Sequence, residues 1–143
     1  MLKVLVKGFA LDQVTKSPII LLEAQKLKGV LPIWIGPGEA SAIAVSHTGT
    51  DYERPLPHDL LRLCLDGFGI KHLRTEITGL AGNTFHARMW LLRENEYVSL
   101  DCRPSDGIAV ALRSKADIFV DKTLFESQKQ MIDSDELWEP EKD

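Results

Sequence analysis

Apolar positions alternate through Leu2, Val4 and Val6 and then shift at Gly8-Phe9, which predicts a bulged strand over residues 2–11. Thr15-Lys16-Ser17-Pro18 reads as a turn, so the apolar run at 19–22 returns as the second strand of a hairpin. After a turn at 26–29, Val30-Leu31-Pro32-Ile33-Trp34-Ile35 is apolar throughout. That run predicts a third strand covered on both faces, with Pro32 near its start. The period then lengthens: Ala40, Ile43, Ala44 and His47 share one helical stripe, opened by Gly36-Pro37-Gly38-Glu39. Residues 48–56 are polar and irregular and predict the longest loop. Leu60, Leu61, Cys64, Leu65 and Phe68 mark the clearest amphipathic helix, 57–68, ended by Gly67 or Gly69.

Strands follow over 71–78, 84–92 and 97–102, the last two joined by a tight turn at Glu94-Asn95. Residues 104–113 read as a short helix with Ile108, Ala111 and Leu112 inward, 116–120 as a last strand and 121–130 as a last helix. Hairpins and strand-to-helix units are mixed, so the expected class is α+β, a single domain with helices packed on a mixed sheet. Residues 1–35 and 71–102 are expected to share that sheet, with the 57–68 helix packed on one face. The domain is expected to span 1–130. Residues 131–143 form an acidic tail, frayed after Asp133.

A chain of 143 residues has room for one core and needs no disulfide or metal to fold. Its apolar runs are short and broken by charge, so no transmembrane helix is expected, and the start of the chain alternates rather than forming a signal-peptide core. Cys64 and Cys102 lie in apolar segments without metal-ligand spacing. They read as core residues of a cytoplasmic protein in a reducing compartment. The net charge of −4 is concentrated at one end: residues 121–143 hold eight acids and three lysines, which leaves 14 bases and 13 acids in the remainder. A neutral body with an acidic tail excludes an electrostatic nucleic-acid binder. It leaves room for a nuclease, whose site needs carboxylates and a few local cations.

Three helices start alike: Pro37-Gly38-Glu39, Pro57-His58-Asp59 and Pro104-Ser105-Asp106. The structural reading is direct, because proline suits the first helical position and a first-turn carboxylate is stabilised by the helix dipole. The functional reading rests on their neighbours. Asp101 ends a strand, Asp106 opens the next helix and Arg103 lies between them; His58 and Asp59 follow a loop holding Asp51, Glu53 and Arg54. Carboxylates at strand ends and helix starts are where phosphodiesterases hold hard divalent cations. On that reading Glu39, Asp101 and Asp106 are metal ligands, Arg54 and Arg103 bind phosphate, and His58, Asp59 and Asp106 carry the catalytic proton transfers. His47 reads as core or interface. His72 and His86 sit in strands without partners at ligand spacing, His72 beside surface-like residues.

These same stretches carry a resemblance. Residues 30–40, VLPIWIGPGEA, resemble a signature of the bifunctional nuclease family. Residues 54–61, RPLPHDLL, resemble its second motif, with Pro57 where threonine is usual. Residues 100–109, LDCRPSDGIA, resemble its third, with Gly107 where alanine is usual. The resemblance covers roughly residues 1–130 and implies a nuclease of DNA and RNA. With the chemistry above, the expectation is a metal-assisted phosphodiesterase using Mg²⁺ or Mn²⁺ on single-stranded DNA or RNA. The alternative is a non-catalytic, oligomeric binding or regulatory domain that uses the motifs as helix starts. On that alternative the alanine-rich 40–45 helix packs closely at an oligomer surface. A homo-oligomer is expected on either reading, a dimer first, because short hairpins leave sheet edges to cover.

Overall fold

A computed structural model describes residues 1–49 and 52–141. Alternation and turn residues produce the strands β1 (Leu2–Leu11), β2 (Pro18–Ala24), β3 (Val30–Trp34), β4 (Lys71–Ala81), β5 (Thr84–Arg93), β6 (Glu96–Cys102) and β7 (Asp117–Val120). The helices are α1 (Pro37–Thr48), α2 (Pro57–Gly67), α3 (Pro104–Ser114) and α4 (Lys122–Gln128). The order matches the sequence reading, and the class is α+β. One sheet holds all seven strands in the order β3-β2-β1-β7-β4-β5-β6. Every pairing is antiparallel except β4 with β7. The short β7 therefore joins the two hairpin systems into one sheet. The expected bulge is present, with the β1–β2 register shifting between Val6 and Gly8. Pro32 is tolerated because β3 is the first strand of the sheet.

The core lies between the sheet and α1, α3 and α4. Ile108, Ala109 and Ala111 of α3 are fully buried with Ile77 of β4, Val120 of β7 and Phe125 of α4. Ala40, Ile43 and Ala44 bring α1 close against α3, so the small residues of 40–45 serve an intramolecular contact and not an oligomer surface. Four other expectations change. Of the α2 stripe only Leu65 is buried; Leu60, Leu61 and Phe68 are exposed, because α2 rests on the flank of α3 rather than across the sheet. Cys64 is exposed and Cys102 half-buried, so the cysteines are not both core. His72 is buried, where its Nε2 meets Thr75 Oγ1 at 3.1 Å; His47 is not core, being exposed in the single chain. Residues 130–140 dock instead of fraying: Gln130 pairs with Val30, Trp138 with Phe9, and Pro140 is buried. Lys142 and Asp143 of the expected tail lie outside the described residues. Among the described residues, no helix is long and apolar enough to cross a membrane.

Candidate functional site

Each Pro-x-acid segment does open a helix with proline in its first turn. The three acids then do different things. Asp59 turns back on its own helix start, accepting the Leu56 N–H at 2.9 Å. Its other oxygen accepts Arg113 Nε at 2.7 Å. Glu39 folds back over Gly36, where any side chain would collide with its carboxylate. Asp106 caps nothing. Its oxygens accept from outside the helix, from Arg103 Nε at 2.8 Å, Arg103 Nη2 at 3.2 Å and His58 Nε2 at 2.9 Å.

α1 and α3 pack side by side, so their starts meet, and Arg103 spans them. While it forks onto Asp106, its Nη1 donates to Glu39 Oε1 at 3.0 Å. Three elements thereby contribute to one charged node: Glu39 from α1, His58 from α2, Arg103 and Asp106 from the start of α3. Burial pushes the Asp106 carboxyl up, but the hydrogen bonds from Arg103 and His58 outweigh it and hold the group below the ordinary carboxylate range. The fork uses three of the five N–H groups a guanidinium carries, and the Arg103 side chain remains 65% exposed.

Arg103 and Glu39 stand on the wall of a cleft of about 720 Å³ between the end of β3, the β4–β5 tip and α4. Trp34 and Phe85 supply aromatic surface there, and Asn83, Gln128 and Gln130 supply amides. Trp34 is half exposed, and its indole N–H is fixed by a 2.9 Å bond to Asp12 Oδ2. Asp12 is itself held in the β1–β2 turn by the N–H groups of Val14 and Thr15. The bonds from Thr15, Trp34 and Val14 lower its carboxyl to about 2, so this anchor stays ionised across the usable pH range. Volume and lining suit a nucleotide-sized ligand with a ring to stack and a phosphate to pair.

The remaining sequence candidates lie apart from the node. Asp101 is exposed on β6, in register with Arg88, and makes no hydrogen bond or ion pair among the described residues. Arg54 is exposed and has no partner among the described residues. Asp51 lies outside them. A divalent ion needs several oxygens around one point. Here Glu39 and Asp106 converge on a guanidinium, and Asp59 is occupied by Leu56 and Arg113. Among the described residues no three His, Cys, Asp or Glu side chains gather as a metal ion requires. As arranged, these donors do not form a divalent-ion site. His58 is half-buried with Nε2 on Asp106 and Nδ1 buried without a partner, so its ring positions Asp106 and does not face the cleft. The Cys102 thiol is pushed up to about 11 by burial and then by the charges of Asp106 and Asp101, which removes it as a nucleophile.

Sequence reasoning missed Arg113, Asp12 and Trp34. A basic residue in a last helical turn is commonplace, and an Asp in a turn is equally so. Only the tryptophan interrupting an aliphatic strand offered a signal.

The model of the Bifunctional nuclease domain family matches residues 19–133. An uncharacterised protein of Mycobacterium tuberculosis is 35% identical over 136 residues, which cover 94% of this chain and 81% of that protein. Bifunctional nuclease 1 of Arabidopsis thaliana is 26% identical over 139 residues, 94% of this chain and 43% of that protein. Bifunctional nuclease 2 of the same plant is 27% identical over 125 residues, 85% and 38% of the two chains. The node and most of its cleft fall within the matched segment, and the chain belongs to the bifunctional nuclease domain family.

Proposed function

We propose that this protein is a nuclease that cleaves phosphodiester bonds of single-stranded DNA or RNA bound in the cleft beside Arg103. The observation that carries the reading is the Arg103 guanidinium, held from behind by Glu39 and Asp106 while two of its N–H groups stay free to pair with a phosphate. The kinship with two plant proteins named bifunctional nucleases supports it. A flexible single strand can turn a base into the cleft, stack it on Trp34 and present the adjoining phosphate to Arg103. Glu39, the carboxylate on the cleft wall, is the base that takes a proton from the attacking water or hydroxyl. That proton leaves with the departing oxygen, so the step balances. Asp106 orients the guanidinium, and His58 orients Asp106.

Two carboxylates stand against one guanidinium in the node. A polyanion therefore gains from cations that accompany it. Mg²⁺ or Mn²⁺ in this proposal travel with the substrate phosphates and not in a cage of protein carboxylates. The test is cleavage of end-labelled single-stranded RNA and DNA with Mg²⁺, with Mn²⁺ and with chelator, wild type against Arg103→Ala. Cleavage by the wild type and at least a 100-fold loss in the variant are expected. Absence of cleavage under every condition, with retained binding, favours the non-catalytic reading. The ion pairs of Glu39 and Asp106 with Arg103 are the observation that would then explain it.

A further inference from the structure

The sequence gives α2 an amphipathic stripe that the fold of one chain does not bury. Fourteen large apolar residues stand exposed among the described residues, and seven of them fall on α2, its C-terminal neighbour and β6: Leu60, Leu61, Leu63, Phe68, Tyr97, Val98 and Leu100. Half the exposed apolar side chains therefore lie on two neighbouring elements. The elements are contiguous. Leu65 of α2 packs on Met89 and Leu91 of β5. Those two residues pair with Leu100 and Val98, which places the β6 side chains on the same face, just beyond the cover of α2.

β6 is also the open end of the sheet. At the other end, β3 is protected by its bridge to Gln130, whereas among the described residues β6 pairs with β5 alone. Edge strands that must stay single carry lysine, proline or a bulge. From Tyr97 to Cys102 this strand has no lysine, arginine or proline, and its pairing with β5 runs without a register shift.

We propose that β6 and the exposed flank of α2 form the interface of a two-fold dimer, in which β6 pairs antiparallel with β6 of a second copy about Ser99. The register is self-complementary. It sets Val98 against the partner's Leu100 on the helix face and Tyr97 against the partner's Asp101 on the other, with no like charges opposed. The sheet then continues through the dimer, and the two α2 helices meet above the junction with their bare leucines and Phe68 between them. The area is sufficient. A standard interface buries about 800 Å² per partner. All seven apolar residues of the strip are 42–78% exposed, and at about 150–250 Å² for a large side chain the seven together approach that area. One charge between Tyr97 and Cys102, and that one acidic, makes the strip unsuited to nucleic acid. This inference is independent of the nuclease reading.

Sedimentation of the full chain at micromolar concentration is expected to give twice the chain mass of 16.0 kDa. Phe68→Glu with Leu100→Lys is expected to return the mass to one copy with an unchanged far-UV spectrum, because both side chains are exposed in the single chain. Ser99→Cys supplies a second measurement. Residues opposite one another in an antiparallel pair lie about 4.5–5.5 Å apart, within disulfide reach. In a Cys64→Ser background, which removes the exposed thiol of α2, mild oxidation should therefore link Ser99→Cys into a covalent dimer and leave the chain with Ser99 retained uncrosslinked. A single-copy wild type overturns the proposal. A dimer that survives the double substitution, or that fails to crosslink through position 99, overturns this surface. If the double variant does not fold, the crosslink alone decides.

Discussion

The Arg113 side chain, 4% exposed, joins α3 to both other helices at the site: its Nε donates to Asp59 Oδ1 at 2.7 Å and its Nη2 to the Ala42 carbonyl at 3.1 Å. Nη1 returns to Ala109 O at 2.9 Å. α2 buries only one residue, so this buried fork is a main tie between α2 and the rest of the fold. Arg113→Ala takes the guanidinium from the Ala42 carbonyl and from Asp59 Oδ1, while the Leu56 N–H stays on the other Asp59 oxygen. Breaking a buried pair in this way costs about 3–5 kcal/mol, and the cost here falls toward the lower end because Asp59 is a third exposed. Arg113→Lys should recover less than half, since one ammonium cannot reach three acceptors set in a fork. Urea unfolding of the three proteins measures both values.

Stability should fall in two stages as pH is lowered. Burial pulls the His72 imidazole below the usual histidine range. The unfolded chain therefore takes up that proton first, and the stability from neutral His72 is lost as pH drops below about 6.5. Burial raises the Asp59 carboxyl, but the Leu56 N–H and Arg113 outweigh it, so the group ends below its ordinary value. Asp106 is lowered by Arg103 and His58 in the same way. Their contribution is complete above the unfolded carboxylate value of about 4 and disappears as pH falls through the folded values. Urea midpoints between pH 8 and 2 should show both declines. His72→Gln keeps a donor for Thr75 and should abolish the first decline while leaving the second. A single decline in the wild type, below pH 4, would refute the assignment to His72.

Gly107 is buried in the first turns of α3, and the fold leaves little room there for a side chain. A Cβ there would lie 2.7 Å from Thr75 Cγ2 and 3.0 Å from Cys102 Sγ. Thr75 cannot yield, because its hydroxyl donates to the Gly107 carbonyl at 2.8 Å and its β-branch fixes the methyl. Alanine would add about 1 kcal/mol of helix propensity, against about 1–3 kcal/mol for overpacking. Gly107→Ala should therefore destabilise by about 1 kcal/mol on balance. Thr75→Ser removes the obstructing methyl, and in that background Gly107→Ala should turn neutral or stabilising. A double-mutant cycle in urea reads the difference.

Much of this was legible in the sequence, and the failures share one physical cause. Period and turn chemistry mark elements, so the β1 bulge, the Pro-opened helices and the strand order along the chain could all be read. Periodicity reports that a stripe seeks cover but not what provides it. The α2 stripe reads as part of the chain's own core, and burial there would make Leu61→Ala cost about 2–5 kcal/mol. Leu61 is 42% exposed in the single chain, so the loss to the fold should be below about 1 kcal/mol. The acids of the Pro-x-acid motif could be found but not sorted, since spacing along a helix start is the same for Asp59, which caps, and Asp106, which does not. The α1–α3 contact that brings Glu39 to Arg103 links positions 64 apart in the chain. Asp12 reaches Trp34 across 22 positions. Neither pairing leaves a local mark.

The sharpest test of the site separates holding a phosphate from orienting the group that holds it. Arg103→Ala deletes the cation and should raise KM for a labelled oligonucleotide as well as lower kcat. Asp106→Asn acts differently. It removes a negative charge from a node with two carboxylates against one guanidinium, so a polyanion is repelled less and KM should hold or fall. Asparagine offers one oxygen where Arg103 and His58 used both, and turns N–H groups toward the donors of its neighbours. The fork loses its anchor, and kcat should fall at least tenfold through lost geometry. Asp106 does not cap α3, so its replacement leaves no helix-start N–H unpaired. The melting temperature should shift by only a few degrees, matching about 1 kcal/mol for partly exposed charged hydrogen bonds. Equal rates for wild type and Asp106→Asn would remove Asp106 from the site. A rise in KM matching that of Arg103→Ala would give Asp106 a direct part in binding the substrate.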